Sequence, residues 1–192
     1  MKNIIWKLTI AVAFATPAIN VHAALFNVEA LANSSRGTGV GLDTGINLSA
    51  GQLFTVSVDP NDFWSAGALP RWSNADGLTG VRLATGTDES GAAAGTQIGA
   101  DFGLLNQDGL SAPFGTLVGE LSGVFFALGT SFSGPAPASG TLKLYYWDIN
   151  NADNAGSVLA DVRTIPEPGT CVLLALGLAG VALSCQPRKG KS

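Results

Sequence analysis

The chain has 192 residues, is 46% hydrophobic and 12% charged, and carries a formal net charge of −4 at pH 7. Its one histidine, His22, and its two cysteines, Cys171 and Cys185, all lie toward the ends. What stands between them has no disulfide, Cys nucleophile, Ser-His-Asp triad or ordinary zinc site.

Lys2 and Lys7 precede an apolar run over residues 8–15, then Pro17 and Val21-His22-Ala23. A charged start, a short apolar stretch and small side chains before a cut read as a secretory signal over residues 1–23, removed by signal peptidase before Ala24. The apolar run falls well short of the roughly 20 residues that span a bilayer.

Residues 24–165 form the expected single domain, long enough for a proper core. They contain five Lys/Arg against thirteen Asp/Glu, a formal charge of −8. Such a surface attracts cations and lacks the basic footprint of a nucleic-acid binder. The hydrophobic period here is two. Residues 25–31 open as a strand. A Gly-rich loop over 34–45 leads to a strand–turn–strand, with Ile46 and Leu48 before Ser49-Ala50-Gly51-Gln52. Beyond that turn Phe54, Val56 and Val58 share one face, opposite Leu53, Thr55 and Ser57. Residues 85–110 are Gly/Ala-rich and read as a long loop, with a short strand over 100–104. Residues 114–121 and 124–128 read as a hairpin about Ser122-Gly123. Leu142, Leu144 and Tyr146 line one face of the next strand, and Val158, Ala160 and Val162 one face of the last. Many short strands with Gly and Pro punctuation predict an all-β, jelly-roll-like β-sandwich.

One loop carries concentrated chemistry. Between two strands stands Asp148-Ile149-Asn150-Asn151-Ala152-Asp153-Asn154-Ala155-Gly156, with five oxygen-bearing side chains. Ca²⁺ takes six to eight oxygens from carboxylates, amides and carbonyls, which this loop offers, although it lacks the EF-hand pattern. Asn, Asp and Gly are also ordinary turn formers, so a simple polar turn fits the same residues. Carboxylate pairs for glycoside hydrolysis exist on paper (Asp59 with Asp62, Asp88 with Glu89, Asp148 with Asp153), but none stands in a catalytic context. Gly37-Thr38-Gly39-Val40-Gly41 is not a phosphate loop, since no Lys-Ser/Thr follows it. The chain is expected not to be an enzyme.

After Ile165 comes Pro166-Glu167-Pro168-Gly169, a stiff breaker that ends a preceding strand. Residues 170–184 are uncharged and rich in Leu, Ala, Val and Gly, and Arg188, Lys189 and Lys191 follow. An apolar helix before cations reads as a short membrane-inserted segment with its basic end in the cytoplasm. Pro166, Glu167 and Pro168, the apolar stretch and the basic end together resemble the PEP-CTERM sorting signal, over residues 166–192. That resemblance implies cleavage by an exosortase, a transient inner-membrane anchor, and a destination at the cell surface or in an exopolysaccharide or biofilm matrix.

A second resemblance covers residues 25–162. Val28-Glu29-Ala30-Leu31-Ala32-Asn33, Ser49-Ala50-Gly51-Gln52-Leu53, the stretch from Trp64 through Trp72 to Asp76, Ala112-Pro113-Phe114-Gly115-Thr116-Leu117-Val118-Gly119, and Thr141-Leu142-Lys143-Leu144 with Asp148 and Asp153-Asn154-Ala155-Gly156-Ser157 occur in the order of the PA-I galactophilic lectin family. It implies a galactose-binding-domain type of sandwich with a sugar held through bound Ca²⁺. Asp148, Asp153 and Asn154 then stand at ligand positions, with a carbonyl from Asn150 or Asn151 and another near Ala66. Trp64 or Trp72 would pack a sugar face, and Asp148 and Asp153 would border it. The loop from Asp148 to Asp153 is two residues shorter than the family pattern, and its sugar-contacting His and Gln have no counterpart. The expectation is an exported, calcium-dependent, lectin-like protein with a galactoside or exopolysaccharide glycan as partner. A structural matrix protein on the same fold is the alternative, and a carboxylate glycosidase a more distant one.

Overall fold

The computed structural model describes residues 23–165 and residue 177; residues 1–22 of the expected signal (1–23) and, apart from residue 177, the sorting tail with Pro166, Glu167 and Pro168 lie outside the described residues. Residues 23–165 belong to one compact unit and hold fourteen strands and no helix. The unit is a β-sandwich of two main antiparallel sheets, joined by two further two-stranded ones.

The first sheet is built on the longest strand, β14 (Ala155–Thr164). It takes β1 (Ala23–Glu29) on one side and β3 (Leu53–Ser57) on the other, and β12 (Ser131–Pro135) closes that second side. The short strands β4 (Trp64–Ser65) and β5 (Trp72–Ser73) extend the sheet beside the start of β14. The second sheet runs β11 (Val124–Ala127), β10 (Leu117–Leu121), β13 (Gly140–Tyr146), β2 (Leu42–Leu48).

Alternation fills the space between the sheets. Phe54, Val56 and Val58 face inward as expected, and so do Leu142, Leu144 and Tyr146 and then Val158, Ala160 and Val162; all are buried in one cluster. The β10–β11 connection is a two-residue turn in which Ser122 and Gly123 both take positive φ, which the twist of a tight hairpin requires.

The stretch over 85–110 differs from its reading as a loop with a strand at 100–104. It contains β7 (Gln97–Gly99), paired with β6 (Arg82–Leu83), and β8 (Leu104–Gln107), paired with β9 (Leu110–Pro113). Residues 100–103 are the irregular connection between β7 and β8. The β8–β9 hairpin covers part of the outer face of the second sheet, where Leu105 and Ala112 bury Trp147 and Val118. Trp147 Nε1–H donates to the Leu105 carbonyl at 3.1 Å, so an outward residue of the pattern becomes core. Among the described residues no helix is long and apolar enough to cross a membrane.

Candidate functional site

The loop from β13 to β14 forms one wall of a cleft of about 300 Å³, lined by Ala66, Arg71, Leu78, Phe102, Phe114, Asp148, Ile149, Asn150 and Asp153. Two distant pieces of sequence thus meet: the acidic loop and the β4–β5 hairpin loop that carries Ala66 and Arg71.

Asp148 is 5% exposed. Ser35 fixes its backbone: Ser35 Oγ accepts from Asp148 N–H at 3.2 Å and donates to the Asp148 carbonyl at 2.9 Å. Gln107 Nε2 in turn donates to Ser35 Oγ at 2.6 Å. Burial pushes the Asp148 carboxyl upward; the Ile149 N–H, the Asn154 amide and the Asn150 N–H pull it back, and the Asp153 charge adds to the rise. A carboxylate held out of water, with a second one nearby, is poised to gain from a cation.

Asp153 is half-exposed and crosses to the opposite wall. Arg71 Nη1 lies 3.4 Å from Asp153 Oδ2 and 3.5 Å from the Ala66 carbonyl. Gly67 makes this approach possible. A Cβ there would sit 2.3 Å from Asp153 Oδ2, and its φ of +117° independently disfavours any other residue.

The three asparagines have separate roles. Asn150 is exposed; its amide donates to Asp153 Oδ1 at 3.4 Å and its oxygen accepts from Ala152 N–H at 3.2 Å. Asn151 turns away from the cleft and pins the Gly-rich loop: Nδ2 donates to the Leu31 carbonyl at 2.9 Å and to Thr38 Oγ1 at 3.1 Å, and Oδ1 accepts from Thr38 N–H at 3.3 Å. Gly37 permits that packing, since a Cβ there would lie 2.1 Å from Asn151 Oδ1. The Asn151 carbonyl already accepts the Asn154 N–H at 3.2 Å. Asn154, 6% exposed, donates through Nδ2 to the Ala30 carbonyl at 3.2 Å, while its Oδ1 is buried without a protein partner. A buried amide oxygen without a partner, on a side chain that hydrogen-bonds a desolvated carboxylate, leaves an acceptor that a cation could use.

The donor set fits Ca²⁺. Two carboxylates (Asp148, Asp153), the Asn154 amide oxygen and the Ala66 carbonyl are all hard oxygens, and the two negative charges match a divalent ion. Asn151 was expected to offer its backbone carbonyl; that carbonyl already accepts the Asn154 N–H, and its side chain clamps the neighbouring loop and offers no ligand. Among the described residues no three His, Cys, Asp or Glu side chains cluster, so any site here must draw on amide and carbonyl oxygens.

The tryptophans are also corrected. Trp64 is fully buried, its indole N–H shared between the carbonyls of Gly115 (2.9 Å) and Asn74 (3.2 Å), and its ring packs edge-on against Tyr146. It is a core residue and offers no face to a sugar. Trp72 packs against the cluster of Phe63, Ala84 and Ile98, away from the cleft lining. The aromatic rings in the cleft are Phe102 and Phe114, and sequence reasoning missed both. It missed Arg71, Gly67 and Ser35 as well. The Pro70-Arg71 pair next to the aromatic stretch was the available signal for Arg71.

Of the other paired carboxylates, Asp59, Asp62 and Asp88 serve the backbone. Asp62 Oδ2 accepts from Leu159 N–H at 2.7 Å, and Asp59 Oδ1 from Asn61 N–H at 2.9 Å. Asp88 caps its own turn through Thr85 and Ser90, and those hydrogen bonds hold its carboxyl down to about 2.

Residues 164–189 match the PEP-CTERM protein-sorting motif. A solved structure described as the EclA N-terminal domain, a PllA-like lectin, is similar to this chain with a TM-score of 0.47 and 21% identity, covering 73% of this chain and 94% of that one. No curated protein matches the chain.

Proposed function

We propose that this chain is a non-enzymatic, calcium-dependent carbohydrate-binding protein. It is sorted by an exosortase through its PEP-CTERM motif and displayed at the cell surface or in the extracellular matrix. The observation that supports the binding reading is that Asp148, Asp153 and Ala66 line one cleft, and that the Asn154 side chain, which hydrogen-bonds Asp148, keeps a buried Oδ1 without a protein partner.

Asp148 would hold the ion from the buried side, fixed by Ser35 and the Ile149 N–H. Asp153 would close the other side across Gly67. Bound Ca²⁺ offers open coordination positions to neighbouring sugar hydroxyls in place of water. Phe102, 42% exposed, and the half-buried Phe114 give the adjoining wall an apolar surface suited to the C–H face of a sugar ring.

The chain direction supports a display role. The cleft sits where β14 begins, and the sorting motif begins where β14 ends. Ten residues of strand separate the two by about 30 Å.

Calorimetry of the full chain with CaCl₂ tests the reading. One binding site is expected, abolished in Asp148→Ala and strongly weakened in Asp153→Ala. Absence of heat with the wild type would reject it in favour of a structural matrix protein.

A further inference from the structure

Arg71 is the feature of the cleft that calcium coordination does not use. Its guanidinium lies over the Phe102 ring at 5.6 Å and reaches the Asp153 carboxylate and the Ala66 carbonyl, two of the oxygens assigned to the ion. Both polar contacts are long, at 3.4 and 3.5 Å, and the Arg71 and Asp153 side chains are each 46% exposed. An ion pair that open contributes little. A divalent ion with twice the charge, seated on the same carboxylate, would displace it.

The charge count gives the displaced guanidinium a task. Asp148, Asp153 and Arg71 are the charged side chains lining the cleft, which together carry −1. A bound divalent ion turns that into +1. A neutral sugar has no use for the excess, whereas a carboxylated one neutralises it. The planar guanidinium pairs with a carboxylate through two parallel N–H donors, and Phe102 beneath it keeps it over the cleft.

We propose that Arg71 is a displaceable counter-cation: it occupies the Asp153 and Ala66 oxygens while the site is free of metal, and after a divalent ion takes them it binds the carboxylate of an acidic saccharide, making a uronate-bearing polysaccharide the ligand class of this cleft. This rests on the calcium reading above. It adds a preference that the overall charge of −8 on residues 24–165 would by itself oppose.

The experiment is calorimetry on the full chain as wild type, Arg71→Ala and Arg71→Lys. CaCl₂ is titrated alone first. Galacturonate and galactose, then glucuronate and glucose, are titrated at saturating Ca²⁺. Arg71→Ala is expected to bind Ca²⁺ more tightly, on the order of tenfold, the scale of removing a unit charge beside a dication. The wild type is expected to prefer each uronate over its neutral parent by about tenfold or more, the difference one charge-assisted pair makes. Arg71→Ala should abolish that preference, and Arg71→Lys should retain part of it. Calcium binding with equal affinity for uronate and neutral sugar overturns this proposal and leaves the calcium reading standing. So does a preference or a calcium affinity that Arg71→Ala leaves unchanged. No calcium binding by the wild type overturns both.

Discussion

Asp148→Asn should act in opposite directions with and without calcium. The wild-type carboxylate is 5% exposed, raised by burial, and close enough to Asp153 to feel its charge. An amide of the same shape removes that charge and can still accept from the Ile149 N–H, which lies 2.7 Å from Asp148 Oδ1. The metal-free protein should therefore gain on the order of 1 kcal/mol, the scale of a buried charge only partly compensated by hydrogen bonds. For a domain of this size that is a rise of about 2–4 °C in Tm. In calcium at 100 times its Kd the wild type gains about 2.7 kcal/mol by mass action, and Asp148→Asn should gain almost none. Melts of the full chain in EDTA and in CaCl₂ would show the two curves crossing: the variant higher in EDTA, the wild type higher in calcium. A variant less stable than wild type in EDTA, or one with an undiminished calcium shift, would refute the reasoning.

Gly67→Ala should weaken calcium binding at least tenfold by calorimetry while the core stays intact, because the new Cβ would occupy space 2.3 Å from Asp153 Oδ2. Tyr146→Phe should leave stability unchanged or raise it by about 1 kcal/mol in denaturant melts, since the Tyr146 hydroxyl is fully buried with no partner in the protein. The Asp88 turn should loosen in acid: its carboxyl is held at about 2, below the ordinary 3.8, so its stabilising effect is complete above 3.8 and fades as pH falls toward 2. Protection of the Thr85 N–H, taken as the ratio of its intrinsic to its observed exchange rate at each pH, should fall over that window and should already be reduced at neutral pH in Asp88→Ala.

The sandwich was legible because alternation survives wherever one strand face meets the core. Phe54-Val56-Val58 and Leu142-Leu144-Tyr146 carry that pattern, and all six are buried. It failed at Trp147, whose outward side is covered by the β8–β9 hairpin some forty residues earlier. Within the cleft, the Asp148 loop announced itself through composition. Asn151 and Asn154 look interchangeable in the chain, yet one clamps the loop at Thr38 and the other hydrogen-bonds Asp148 and keeps its own oxygen unpartnered. The difference is made by partners 113 and 124 residues away. Arg71, Gly67 and Phe102 were invisible for the same reason, since only folding brings the β4–β5 loop onto the acidic loop.

A structure of crystals soaked in CaCl₂ tests the central claim most directly. The account predicts a single ion contacted by Asp148, Asp153, Asn154 Oδ1 and the Ala66 carbonyl, with Arg71 moved off Asp153. An unliganded cleft in which Arg71 still holds Asp153 and Asn154 Oδ1 still has no partner would contradict it.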